Sequence, residues 1–93
     1  MTKNLTIAAA IALGAVSFSS LAAEPRAPKH VSADQAIACI KAALAAKPGN
    51  IAELEVKTER NKTVCEVELI TADGKKFEVY VDVASGKVMR IED

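Results

Sequence analysis

The sequence predicts an α+β domain, one N-terminal helix packed on a four-stranded antiparallel sheet, preceded by a signal peptide. Three observations carry that expectation. A capping signature at Ser32–Gln35 opens a segment whose apolar residues recur at helical spacing. From Ile51 onward the spacing changes to a period of two and keeps it to the end. Turn chemistry, Asp73-Gly74 and Ser85-Gly86 above all, divides the second part into strands short enough to form hairpins.

The first segment reads as a targeting signal. Lys3 supplies the positive start, Leu5 to Phe18 is small and apolar without a charge, and Ser20-Leu21-Ala22 has the small residues of a cleavage site. The expected signal peptide is 1–22, with cleavage after Ala22 or Ala23. No cysteine stands directly after the apolar run, which argues against a lipid anchor. The expected compartment is the periplasm or the secreted space, and no association with the membrane is expected once the signal is removed. Residues 23–30 (AEPRAPKH), with two prolines and mixed charges, read as a flexible leader. The domain proper is 31–93.

The helix is expected from Ala33 to about Ala46. The Ser32 hydroxyl and the Gln35 amide can satisfy each other's backbone N–H, and Asp34 sits where the helix dipole favours an anion. Ala36, Ile37, Ile40, Ala43 and Leu44 form its apolar stripe, with Cys39 at the margin. Pro48-Gly49-Asn50 ends it. The strands are expected at Ile51–Glu59, Val64–Ile70, Lys76–Val83 and Val88–Ile91, with a polar turn at Arg60-Asn61-Lys62. Leu54, Val56 and Thr58 share a face on the first strand, Cys65, Val67 and Leu69 on the second, and Phe77, Val79 and Val81 on the third. In the fourth, Met89 and Ile91 continue the alternation.

That parity turns Cys65 toward the helix that carries Cys39. The two are the only cysteines, and an exported chain meets an oxidising compartment. A Cys39–Cys65 disulfide is therefore expected. Constraint of the unfolded chain makes a bridge over such a loop worth roughly 3.6 kcal/mol, comparable with the whole stability of a small domain. Neither cysteine opens a helix and there is no Cys-x-x-Cys spacing, so the expected role is structural and not redox-active.

Composition excludes several functions. Cleavage would remove one lysine and no acid, leaving a slightly acidic chain with one Tyr and no Trp, which opposes nucleic-acid binding. The lone histidine, His30, has no nearby second ligand, so no metal or other cofactor is expected. There is no Ser/His/Asp set and no thiol beside a base, so no enzyme is expected. What remains is the sheet face away from the helix. Glu53, Glu55, Glu66, Glu68, Glu78 and Asp82 should populate it, with Lys57 and Lys76 as counterweights and Tyr80 among them. Tyr80, Glu66, Glu68 and Glu78 are the candidate partner-binding residues.

The capped helix (SADQAIACIKAAL), the following ELEV strand and the run CEVELITADGKKFEVYVDVASGKVMRIE resemble the PepSY family. The most diagnostic part is Glu78 to Asp82 (EVYVD) followed by Ala84-Ser85-Gly86-Lys87-Val88. The resemblance spans Val31 to Asp93. It implies one helix on an antiparallel sheet, no catalytic residues, and a role among envelope proteins and peptidase propeptides in restraining peptidases. No His-Glu-x-x-His motif occurs in the sequence, so an inhibited peptidase is expected to be a separate chain. The expected partner is another envelope protein. The other function in view is a small-ligand or envelope-signal binding domain unrelated to peptidases.

Overall fold

The computed structural model of the protein describes residues 26–93. The signal peptide expected at 1–22 lies outside the described residues. The element order is α1 (Ala33–Ala46), β1 (Asn50–Glu59), β2 (Lys62–Ile70), β3 (Lys76–Asp82) and β4 (Lys87–Glu92). The four strands form one antiparallel sheet in the order β1-β2-β3-β4. Every sheet connection is thus a hairpin, as the turn signals imply.

The cap of α1 forms as its sequence dictates. Gln35 N–H donates to Ser32 Oγ at 3.1 Å, and Ser32 N–H donates to Gln35 Oε1 at 2.9 Å. The helix stops at Lys47, whose N–H still reaches the Ala43 carbonyl. Its ammonium lies over the Phe77 ring, 4.0 Å from the centroid, and so ties the last turn to β3. Gly49 then lets the chain pass close to β2. A Cβ at this position would stand 2.7 Å from the Ile70 carbonyl oxygen, too close for any other residue without a backbone shift.

The helix lies over β2, β3 and β4 and does not approach β1. Its buried centre is Cys39 and Ala43, 2% and 0% exposed, while Ile37 is 50% exposed. This corrects the expected stripe, which put Cys39 at the margin and Ile37 inside. The reason is helical phase: the line facing the sheet runs through Ala36, Cys39, Ile40 and Ala43, and at about 100° per residue Ile37 is turned well away from it. Cys39 and Cys65 are disulfide-bonded, with Cα atoms 6.3 Å apart. The core is completed by Val67, Leu69, Val79 and Val81, with Val31, Ala42, Leu44, Leu54 and Val83 packed around it.

Two bulges modify the simple alternation. One falls between Ile51 and Glu53, so Ile51 pairs with Leu69 on the helix side although Leu54 and Val56 also face that way. The other falls in β4, where Tyr80 pairs with Arg90 but Val81 pairs with Val88. Met89 is the extra residue, and Val88, not Met89, shares the helix-side face with Ile91. Strict alternation of Met89 with Ile91 is thereby corrected. The β1–β2 turn is a two-residue reversal with Arg60 and Asn61 both in the left-handed region, φ 49° and 60°. Asn61 is suited to that conformation, and its Oδ1 accepts the Ala27 N–H at 2.9 Å. Thr63 Oγ1 donates to the Pro28 carbonyl at 2.6 Å. The end of the leader is thus tied to the sheet at this turn.

Candidate functional site

The face of the sheet away from α1 gathers its side chains into rows set by strand register. One row is Glu53, Glu68, Glu78 and Glu92, a glutamate from each strand. The next is Glu55, Glu66, Tyr80 and Arg90. Like charges directly opposite one another cost stability unless cations are interleaved. Here Lys57 Nζ sits 2.6 Å from Glu66 Oε1, and Lys76 Nζ 3.0 Å from Glu68 Oε2.

Arg90 organises the centre. Its guanidinium lies 3.8 Å from the centroid of the Tyr80 ring. Nε donates to Glu92 at 2.8 Å, and the two terminal nitrogens donate to Glu59 at 2.9 and 3.0 Å. Glu59 belongs to β1 and Arg90 to β4, the two opposite edges. Three inter-strand gaps would separate these strands by about 14 Å in a flat sheet. The contact therefore requires the sheet to coil and both side chains to extend across its face. The planar fork of arginine suits the bidentate contact, and its flat surface suits the ring.

This arrangement buries what the sequence reading left in solvent. Tyr80 is 5% exposed, Glu66 and Asp82 are each 9% exposed, and Val64 on the same face is fully buried. The outer face of an antiparallel sheet is ordinarily wet; here the Tyr80 ring is instead the floor beneath Arg90. Coiling and the aliphatic stems of Lys57 and Arg90 exclude water where alternation alone implies exposure. Of the four candidate partner-binding residues, Glu66, Glu68, Glu78 and Tyr80 do come together. Tyr80 and Glu66 form the buried layer, and Glu68 and Glu78 lie at its border.

Ionisation follows the contacts. The Lys57 ammonium holds the Glu66 carboxyl below the ordinary carboxylate range. Glu66 in turn, beside Glu78, pushes the Glu78 carboxyl up. The Arg90 guanidinium lowers Glu59. Burial, then the charges of Glu66 and Glu78, raises the Tyr80 phenol, whose hydroxyl donates to Glu78 at 3.4 Å. Glu53, Glu55 and Glu78 make no ion pair among the described residues. The accessible chemistry of this face is that of hydrogen-bond acceptors for a cationic or amide-bearing partner. No group of three or more His, Cys, Asp or Glu among the described residues is arranged to hold a metal ion.

The pattern of this fold, with its EVYVD strand and final hairpin, matches the family model described as peptidase propeptide and YPEB domain, over residues 31–92. The chain belongs to the PepSY family. No curated protein and no solved structure matches it. In this PepSY domain the disulfide lies within the core and not on the charged face. Cys39 and Cys65 are 2% and 0% exposed, out of reach of an attacking thiolate in the folded state.

A second feature was not legible in the sequence. A cleft of about 350 Å³ opens where the leader crosses the end of the sheet, lined by Pro28, Gln35, Thr63, Asp82, Val83 and Ala84. Asp82 anchors its wall, accepting from the Ala84 N–H at 3.2 Å and the Ser85 hydroxyl at 3.0 Å. Arg90 and Glu59 were also missed. Alternation places each on the outer face, but no local signal shows that opposite edges of the sheet meet. Among the described residues no helix is long and apolar enough to cross a membrane.

Proposed function

We propose that this PepSY domain is an exported, non-enzymatic binding module that restrains a peptidase of the cell envelope carried on a separate chain. The observation behind this reading is the family match, whose description ties the domain to peptidase propeptides. The acidic face supports it as a docking surface. Glu53, Glu55 and Glu78 make no ion pair among the described residues, and Glu68 keeps only an exposed lysine. Buried Tyr80, with the Arg90 guanidinium laid over it, holds the strands beneath these carboxylates in one geometry, which lowers the ordering cost of binding. Immobilised protein should recover a peptidase from envelope extract, and adding the purified domain should lower that enzyme's activity. Recovery of no peptidase, or full activity of the recovered enzyme at saturating domain, would reject the reading.

The cleft beside the leader supports a second reading, a small-ligand or envelope-signal binding domain. Its volume of about 350 Å³ falls in the range of small-molecule sites. A ligand that raises Tm in the absence of any protein partner favours this alternative.

A further inference from the structure

The sheet has two open edges, and they are chemically unlike. Every residue of β4 is exposed, and three of the large apolar side chains in solvent belong to it: Val88, Met89 and Ile91, at 36%, 38% and 42%. Of the two others, Ile37 is on α1, which lies over this strand, and Ile51 is the single one on β1, against three on β4. An exposed apolar edge with free backbone groups is a template for another strand, and soluble proteins normally block it. We propose that β4 is a self-association edge, at which two copies of the chain join their sheets antiparallel about a two-fold axis.

The choice of a second copy rests on self-complementarity. The bulge at Met89 puts Val88 and Ile91 on one face, opposite Val81 and Val79, and Lys87, Arg90 and Glu92 on the other. Antiparallel pairing centred on Arg90, with the bulged Met89 of each copy left out of the ladder, sets Val88 against Ile91 of the second copy, twice by symmetry. It also sets Lys87 against Glu92, again twice. Lys87 makes no ion pair among the described residues, and the Glu92 side chain is half exposed. The one like-charge meeting in this register is Arg90 at the axis. Its guanidinium is drawn inward over Tyr80 to Glu59, away from the edge. A two-fold axis perpendicular to the sheet also puts both α1 helices on one side.

The same exercise fails at β1. Its outer face reads Glu53, Glu55, Lys57, Glu59. Centring the pairing on Val56 opposes Glu53 to Glu59. Moving the centre to Glu55 opposes that residue to itself, and centring on Lys57 opposes Glu55 to Glu59. Each of these registers places carboxylates together, and although the Val56 register also sets Glu55 against Lys57, β1 is the less self-complementary edge. The inference goes beyond the proposed restraint of a peptidase and does not depend on it.

A seam of one six-residue strand covers less than the ~800 Å² per partner of a typical stable interface, so the expected dissociation constant is about 10–100 µM. Sedimentation equilibrium on the purified protein, from micromolar to millimolar, should show a monomer–dimer equilibrium. Lys87→Glu should weaken it about tenfold by turning two attractive cross-strand pairs into repulsive ones. Lys87→Glu combined with Glu92→Lys should restore it to within about threefold of the parent, since the same pairs return with exchanged signs. Ile91→Asn should abolish it, with circular dichroism showing that each variant is folded. A monomer throughout that range overturns the proposal. So does a dimer that Lys87→Glu leaves unchanged, a charge exchange that restores nothing, or a monomer whose β4 edge captures a foreign peptide strand instead. A peptidase could still be recovered in all of these cases, which keeps the two readings separable.

Discussion

On the helix side of the sheet, Cys65, Val67, Leu69, Val79 and Val81 are fully buried beneath α1. On the other side Glu66, Tyr80 and Asp82 are nearly as inaccessible, yet no secondary-structure element covers them. The first face excludes water with apolar side chains and a covalent tie. The second does so with long charged side chains laid across a coiled sheet. So small a domain has little apolar material, and a single helix can serve only one side. The charged face shows how the remaining side can be ordered without a second layer. Its stability should depend on pH, whereas that of the apolar face should not.

The comparison breaks most readily at the disulfide. Replacing Cys39 and Cys65 together by Ala should cost about 2–5 kcal/mol, which for a domain this small approaches complete unfolding. Thermal melts of the double variant against the parent measure it; a Tm that the replacement leaves unchanged would deny the tie its role. Leu69→Ala, the largest fully buried side chain, should cost about 2–4 kcal/mol by transfer and cavity terms. Urea unfolding should show that loss at neutral and acid pH alike, as an apolar contact requires.

Arg90→Ala tests the other face and should have a smaller effect, a fall of a few degrees in Tm. It also has a specific spectroscopic readout, because Tyr80 is the only tyrosine. In the parent the phenol should titrate above its ordinary value of about 10. Without the guanidinium lid, acrylamide should quench the Tyr80 fluorescence more strongly. Unchanged quenching would mean that Arg90 does not shield the ring.

The finest distinction concerns Glu66 and Glu78. Glu66 and Glu59 are lowered by Lys57 and Arg90 respectively, so their contribution is present above the ordinary carboxylate range. It is lost as pH falls through their depressed values. Glu78 is raised by Glu66, so it has the opposite sign: it opposes folding once pH rises above the ordinary range and the unfolded chain has released that proton. Glu78→Gln should therefore raise Tm slightly at neutral pH and leave it unchanged in acid, where the parent carboxyl is already protonated. A Tm that falls at neutral pH would show that the Glu78 charge is needed and not merely tolerated.

Much of the helix face was legible because each of its signals is local. Ser32 and Gln35 cap by adjacency, Cys65 and Val67 share a side by parity, and Gly74 and Gly86 adopt the positive φ their turns require. Two thiols on facing surfaces, in a chain expected to be exported, made Cys39–Cys65 readable from the sequence. Ile37 was misplaced because a helical stripe fixes a direction only to within a residue's arc, and the line facing the sheet runs through Cys39 and Ala43. Met89 was misplaced because a bulge leaves no mark in an alternating pattern. The site was legible as a list of residues, Glu66, Glu68, Glu78 and Tyr80 on one side, but not in its depth. Burial of Tyr80 depends on Arg90 reaching Glu59 across four strands, and no sequence period encodes the coiling that permits it.

The covalent link between α1 and β2 has a consequence for cleavage of the backbone. It encloses the second half of α1, all of β1 and the exposed Arg60-Asn61 reversal, a span of 26 positions. A single backbone cut anywhere inside that span, after Arg60 for example, leaves two fragments that remain one molecule, with the hairpins still in register. Such a nick would appear only on a reducing gel. The same cut in the Thr71–Lys75 loop has no sulfur across it, and there the fragments are held by packing alone.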